Sequence, residues 1–111
     1  MLASELETLL RQAADRKLKL RTNKGQEYTR GDDDVLANFK RVGAGVGIIP
    51  LKVWWIYFHK HVDALANFIR TGAEASDEGI EGRIDDLQVY LDLGRGLIKE
   101  HKDAKAAEKA L

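Results

Sequence analysis

The sequence predicts an all-α protein, folded as a small antiparallel bundle of about four helices. Apolar residues recur along the chain at the three- and four-residue spacing of one helix face. The single proline, Pro50, stands where a helix can begin, and short polar or glycine-containing segments separate the periodic stretches. Helices joined by such short connections pack most simply in antiparallel order.

Composition limits the function classes open to the chain. Its 111 residues suit a single domain spanning residues 1–111, and a hydrophobic content of 44% is normal for a globular protein. The 18 basic residues balance 18 acidic ones, which argues against binding extended nucleic acid because such binding needs surplus positive charge. The absence of cysteine excludes thiolate nucleophiles, zinc ribbons and disulfides.

Targeting signals are also lacking. The first residues do not show the basic segment followed by an apolar run that marks a secretory signal. The longest apolar stretch, residues 53–58, is too short to span a bilayer, so no membrane partner is expected. We therefore expect a cytoplasmic protein.

The first helix is predicted over about residues 4–20. Ser4 and Glu7 form a capping-box pattern, in which each side chain accepts a hydrogen bond from a free backbone N–H. One apolar stripe consists of Leu2, Leu6, Leu9, Leu10 and Ala13. Residues 22–34 are polar, contain two glycines and are predicted as a loop.

A short second helix is predicted over about residues 35–42, capped by Asp33 or Asp34. The glycine-rich run 43–47 ends this helix, and a phosphate-binding loop is disfavoured because no Gly-Lys-Ser/Thr follows.

The third helix begins at Pro50 and runs to about residue 71, with Gly72 as its terminator. Its wide apolar arc indicates a central helix or one with a second face buried in an oligomer. The arc consists of Leu51, Trp54, Trp55, Phe58, Val62, Leu65, Phe68 and Ile69. The opposite, polar face consists of Lys60, Asp63, Asn67 and Arg70, interrupted by Val53 and Ile56.

The fourth helix is predicted over about residues 78–101, capped by Ser76 or Asp77, and residues 101–111 either continue it or fray. Its apolar line consists of Ile80, Ile84, Leu87, Leu91 and Ile98, widened by Tyr90, Leu93 and Leu97. Its solvated face consists of Glu81, Asp85, Gln88, Asp92 and Lys99.

Charged or polar residues interrupt these apolar faces at Asp86, Arg83 and His61. A buried carboxylate needs a partner, and Arg83 lies three residues before Asp86, within helical reach. Asp86 and Arg83 therefore form a structural ion pair, contact a ligand or metal, or lie on an exposed rim. His61 is expected to be a hydrogen-bonded core residue or a ligand contact.

Metal and nucleophile sites are not favoured by the spacing. His59 and His61 are two residues apart and point about 160° away from each other on a helix, so they cannot share a metal ion. Ser4 and Ser76 are better explained as helix caps than as nucleophiles. No metal ligand and no catalytic residue is therefore assigned.

Four short segments, in order, resemble a known family. They are Lys24-Gly25-Gln26-Glu27-Tyr28, Leu36-Ala37-Asn38-Phe39, Val53-Trp54 with residues 57–64, and residues 80–87 with Tyr90-Leu91. Together they resemble small, mostly phage-encoded proteins labelled "nucleotide modification associated domain", over roughly residues 15–100. The resemblance implies an association with phage nucleotide metabolism, in the cytoplasm of a bacterial host, and does not imply an established reaction.

The acidic last helix is also similar to that of MazG-like nucleoside triphosphate pyrophosphohydrolases, which hold magnesium with carboxylates from two helices. This sequence has Glu78-x-x-Glu81 but carries Lys60 three residues before Asp63, where that family needs a carboxylate. A degenerate magnesium-dependent hydrolase is therefore an alternative, with magnesium as a minor cofactor hypothesis beside the expectation of none.

The leading hypothesis is binding of a nucleotide or nucleotide-like ligand, for modification or sequestration, with a homo-oligomer as a further expectation. Lys60, Arg83 and Lys24 would meet phosphate, since cations and guanidinium forks suit phosphate oxygens. Tyr28 or Phe39 would stack on a base, Asn38 would read its edge, and Asp86 would orient Arg83 or His61. A third hypothesis is a non-enzymatic interaction protein that uses the aromatic third helix.

Overall fold

The computed structural model describes the backbone of residues 1–29, 33–74 and 79–111, and side chains except those of residues 20–32 and 75–78. The described chain is all-helical and contains four helices. They are α1 (Ala3–Thr29), α2 (Ala37–Val46), α3 (Pro50–Thr71) and α4 (Gly79–Ala110). No helix within these residues is both long and apolar enough to cross a membrane. The predicted all-α bundle is confirmed.

The helix α1 differs from its prediction at both ends. Its first turn is capped by Glu5, whose carboxylate accepts a 2.6 Å hydrogen bond from the backbone N–H of Leu2, so the capping box of Ser4 and Glu7 is wrong. The helix also continues to Thr29, through most of the segment predicted as a loop. In the part of that segment that α1 includes, Lys24, Gln26 and Glu27 are good helix formers, and they outweigh Gly25.

The helix α2 is shifted towards the C-terminus relative to its prediction. Asp34 accepts a 2.9 Å hydrogen bond from the backbone N–H of Leu36, and the helix begins at Ala37. Its end is set by Gly47, which adopts φ 76° and donates its N–H to the carbonyl of Gly43. The first glycines of the run 43–47 therefore lie inside the helix, since only Gly47 has the left-handed conformation that ends it.

The bounds of α3 agree with the prediction. Pro50 occupies the first turn, where its missing N–H costs nothing, and Gly72 ends the helix at φ 74°. Of the two alternatives for residues 101–111, continuation is the observed one, since α4 extends to Ala110. The predicted caps, Ser76 and Asp77, lie outside the described residues.

A small core lies where α2, α3 and α4 meet. Leu36, Phe39, Val53 and Leu97 are buried there. Partly buried residues pack around them, namely Val42, Ile48, Leu51, Trp54, Tyr57, Tyr90 and Leu93. Val53, which the sequence placed on the polar side of α3, is the most completely buried residue of the cluster. The buried line of α3 therefore includes Val53 and His61, and part of the predicted aromatic arc faces outward.

Two contacts fix α4 against its neighbours. The indole N–H of Trp54 donates a 2.7 Å hydrogen bond to the carbonyl of Tyr90 on α4, beside Gly94. Lys40 on α2 forms an ion pair with Asp34 and a second one, at 3.0 Å, with Glu100 on α4. These contacts set which face of α4 is turned inward.

The inward face of α4 is one flank of the predicted apolar face, the flank that holds Tyr90, Leu93 and Leu97. Val89 and Leu97 are buried, whereas Ile84, Leu91 and Ile98 are 42%, 51% and 43% exposed. The periodicity identified the apolar face but centred it on the line of Ile84, Leu91 and Ile98, whereas α3 packs against the flank that holds Leu97.

Candidate functional site

The polar residues singled out on α3 and α4 meet between the two helices. His61 and Asp86 are each 8% exposed. Nδ1 of His61 and Oδ2 of Asp86 are 4.0 Å apart, which is too long for a hydrogen bond between these two atoms but close enough for electrostatic attraction. Asp86 therefore faces an imidazole across the helix interface.

Arg83, half-buried one turn before Asp86, also points to the imidazole. Its Nη1 lies 2.9 Å from Nδ1 of His61. A guanidinium can only donate, so His61 accepts through Nδ1 and carries its proton on Nε2. An Arg83–Asp86 ion pair, one of the alternatives left open by the sequence, does not occur among the described residues, and Arg83 instead contacts His61 on α3.

Tyr90 completes the cluster on its inner side. Its ring centroid lies 4.7 Å from that of His61, and its ring meets the edge of Phe39 at 6.1 Å. The cluster of His61, Arg83 and Asp86 thus rests on the aromatic part of the core. Because the core side is closed by packed rings, a ligand approaching this cluster would do so from the side of half-exposed Arg83.

A second buried carboxylate, which the sequence analysis missed, lies next to Asp86. Asp85 is 6% exposed, although it was placed on the solvated face of α4. It accepts hydrogen bonds from Nε of Arg16 at 2.9 Å and from Nη2 at 3.4 Å. The hydrogen bond from Arg16 to Asp85 raises the pKa of the Arg16 guanidinium above its ordinary value.

A signal for this pair was present in the sequence. The spacing of Leu2, Leu6, Leu9 and Ala13 continues at Arg16, which places a cation on the apolar stripe of α1. A cation on an apolar helix face predicts a carboxylate on the neighbouring helix, but the α1 stripe alone does not identify Asp85 as that carboxylate.

The remaining predicted residues are dispersed. Phe39 is 4% exposed, and its ring packs against Tyr57 and Tyr90. Asn38 is half-buried and accepts a hydrogen bond from Arg41, and Lys60 is exposed on α3. The side chains of Lys24 and Tyr28 lie outside the described residues. His61, Arg83 and Asp86 are thus the predicted residues that the described structure brings together.

A separate groove of about 320 Å³ lies between the start of α3 and the second half of α4. Its lining is Ile49, Pro50, Leu51, Leu97, Glu100, His101, Ala104, Lys105 and Glu108. None of the predicted binding residues contributes to it. The groove is mainly apolar and contains no arginine, so it is less suited to phosphate than the surroundings of Arg83.

No group of three or more histidine, aspartate or glutamate side chains that could hold a metal ion occurs in the described part of the chain. Comparisons with protein-family models, curated proteins and solved structures found no match to this chain.

Proposed function

We propose that the chain binds a nucleotide or nucleotide-like ligand through the guanidinium of Arg83, which His61 and Asp86 position. The observation that carries the proposal is the 2.9 Å contact between Arg83 and His61, which holds a half-buried guanidinium across a helix interface. A guanidinium has five N–H donors in a planar fork, so one bond to His61 leaves others for phosphate oxygens. Partial burial strengthens such a charge-assisted contact relative to one in open water.

In this proposal His61 and Asp86 are positioning residues. Neutral His61 accepts a hydrogen bond from the Arg83 guanidinium and so fixes the direction in which its other N–H groups point. The nearby Asp86 carboxylate stabilises the positive charge of Arg83 electrostatically. Lys60, the residue directly before His61, is exposed on α3 and supplies a second positive charge. Because Phe39 is buried and its ring packs against Tyr57 and Tyr90, base stacking is assigned to Tyr28, with Lys24 as a third cation.

A thermal-shift series with nucleoside mono-, di- and triphosphates and cyclic nucleotides tests this proposal. A ligand at about 100 times its Kd stabilises the folded state by about 2.7 kcal/mol, which raises Tm by roughly 10 °C for a chain of this size. Arg83→Gln should abolish the shift. Arg70→Gln should retain it, because Arg70 is an exposed arginine of α3 that bonds to Asn67. No shift for any nucleotide, or an undiminished shift in Arg83→Gln, would refute the proposal.

A degenerate metal-dependent pyrophosphohydrolase is the enzymatic alternative, supported by the buried carboxylates Asp85 and Asp86 at the start of α4. It predicts magnesium-dependent release of pyrophosphate or phosphate that EDTA stops and Asp86→Ala abolishes. Nucleotide binding without such release would favour the binding protein.

A non-enzymatic interaction protein is favoured by a specific observation on α3. Trp55 is 53% exposed and stacks on Phe58, and Ile56 and Ile69 are 59% and 76% exposed. Exposed aromatic residues of this kind are typical of protein contact surfaces. This candidate predicts that Trp55→Ala abolishes partner capture while leaving nucleotide shifts unchanged.

A further inference from the structure

The helix α4 has a second apolar face that nothing in the described chain covers fully. Ile84, Leu91 and Ile98, here called the α4 stripe, are 42%, 51% and 43% exposed. They follow one another at intervals of seven residues, so they lie within about 40° of one another around the helix, whereas buried Val89 lies about 160° from Leu91. Heptad spacing on an exposed face is typical of a helix that packs against another helix.

The total surface of the chain indicates how much contact area is uncovered. Its accessible surface is 8184 Å², whereas a compact monomer of its mass exposes about 6100 Å². Its radius of gyration is 16.5 Å, against about 13 Å expected for a compact domain of this length. The excess of about 2000 Å² is spread over the whole chain, α1 included, and leaves room for the roughly 800 Å² that each partner buries in a stable interface.

We propose that a second copy of this chain docks on the α4 stripe, forming a two-fold antiparallel pair of α4 helices centred on Leu91. The stripe is symmetric about this residue, since Ile84 precedes it and Ile98 follows it by the same interval. In the pair, Leu91 meets Leu91 of the second copy and Ile84 meets Ile98 of the second copy. A closed two-fold contact requires such self-complementarity. The proposal is independent of nucleotide binding.

Charges beside the stripe favour the antiparallel direction. Glu81, Gln88, Arg95 and Lys102 follow one flank at seven-residue intervals, acidic at one end and basic at the other. An antiparallel pair brings Glu81 near Lys102 of the second copy, twice by symmetry. A parallel pair would instead leave Glu81 and Lys102 about 30 Å apart along the helix axis, so the two opposite charges could not meet.

The exposed leucines of α1 also contribute to the uncovered area, because every residue from 1 to 12 is exposed. We assign the contact to α4 because its apolar positions and its flanking charges both fit a second copy.

The solution mass tests whether the dimer forms. Sedimentation equilibrium from micromolar to submillimolar concentration should give twice the chain mass of 12.4 kDa. Leu91→Lys should give a folded monomer. Ile69→Lys, at a 76% exposed position on α3, should remain dimeric and serves as the matched control. A wild-type chain that stays monomeric over the whole range would overturn the proposal, and so would a dimer that Leu91→Lys leaves intact.

Cysteine cross-linking tests the geometry without background, because the chain contains no cysteine. Leu91→Cys alone should form a covalent dimer under mild oxidation. Ile84→Cys alone should not, because two copies of position 84 lie about 21 Å apart in the pair, whereas a disulfide needs Cα atoms within about 7 Å. Ile84→Cys combined with Ile98→Cys should cross-link. Efficient cross-linking through Ile84→Cys alone would overturn the antiparallel arrangement.

The flanking charges provide a second check of direction. Glu81→Lys should weaken the dimer severalfold, and adding Lys102→Glu should restore it. A double variant no tighter than the single one would contradict the assigned pairing.

Discussion

Replacing Gly94 by alanine should destabilise the protein, although alanine is the better helix former. A Cβ atom at this position would lie 2.5 Å from Cζ2 and 2.9 Å from Cε2 of Trp54, so the indole would have to retreat by about 1 Å to reach normal contact. It is held by the 2.7 Å hydrogen bond to the carbonyl of Tyr90. Overpacking lowers the free energy of unfolding by about 1–3 kcal/mol, and the weakened hydrogen bond lowers it by about 1 kcal/mol. The better helix propensity of alanine raises it by about 1 kcal/mol.

The net expectation is a loss of about 1–3 kcal/mol, equivalent to a Tm lower by roughly 5–12 °C, measured by circular dichroism and urea unfolding. Gly45→Ala is the control: its Cβ would meet nothing within 4 Å, so it should be stabilised by about 0.5–1 kcal/mol. Trp54→Phe should reduce the cost of Gly94→Ala, since a smaller ring leaves room. If Gly94→Ala matched or exceeded wild-type stability while Gly45→Ala behaved as expected, the close approach of α3 and α4 would be wrong.

Two further predictions concern charges. Arg16→Met should lower Tm by several degrees, because it leaves the buried Asp85 carboxylate without its bidentate partner. Lys17→Met, which removes the longer ion pair to Asp92, should lower Tm less. Thermal unfolding of both variants measures the difference, and equal effects would contradict this prediction. The hydrogen bond from Lys40 lowers the pKa of Asp34, so the stability due to this pair is present above the ordinary pKa of a carboxyl and is lost as pH falls through the native pKa. Asp34→Asn should therefore cost about 0.5–1 kcal/mol at pH 7 and almost nothing once the pH lies below the lowered native pKa of Asp34, and a pH-independent cost would refute this origin.

The fold class was predictable because it depends on local signals. Pro50 and Gly72 bound α3 as the sequence indicated, since the conformations of proline and glycine at helix ends depend on few neighbours. The prediction of a loop from residue 22 was wrong over residues 22–29, which belong to α1. Polar residues in this segment indicate an exposed surface, and an exposed segment can still be helical.

The inner face of α4 was harder to predict. Periodicity centred the apolar face on the line through Leu91, and only packing against α3 decides that its flank at Leu97 is the buried part. For the same reason Asp85 was placed in solvent. To predict that Arg83 contacts His61, one would need to know how α3 and α4 are each rotated about their axes. The sequence nevertheless indicated His61, Arg83 and Asp86 as unusual, because each is a polar residue on an apolar helix face.

Nuclear magnetic resonance of the Arg83 and His61 side chains tests the central claim most directly. Titration with the nucleotide that gives the largest thermal shift should move the Arg83 Nε–H signal and the His61 ring signals together and saturably. His61 should keep its proton on Nε2, because Nδ1 accepts from Arg83. Saturable changes confined to other parts of the protein, with the Arg83 and His61 signals unmoved, would contradict the proposed site.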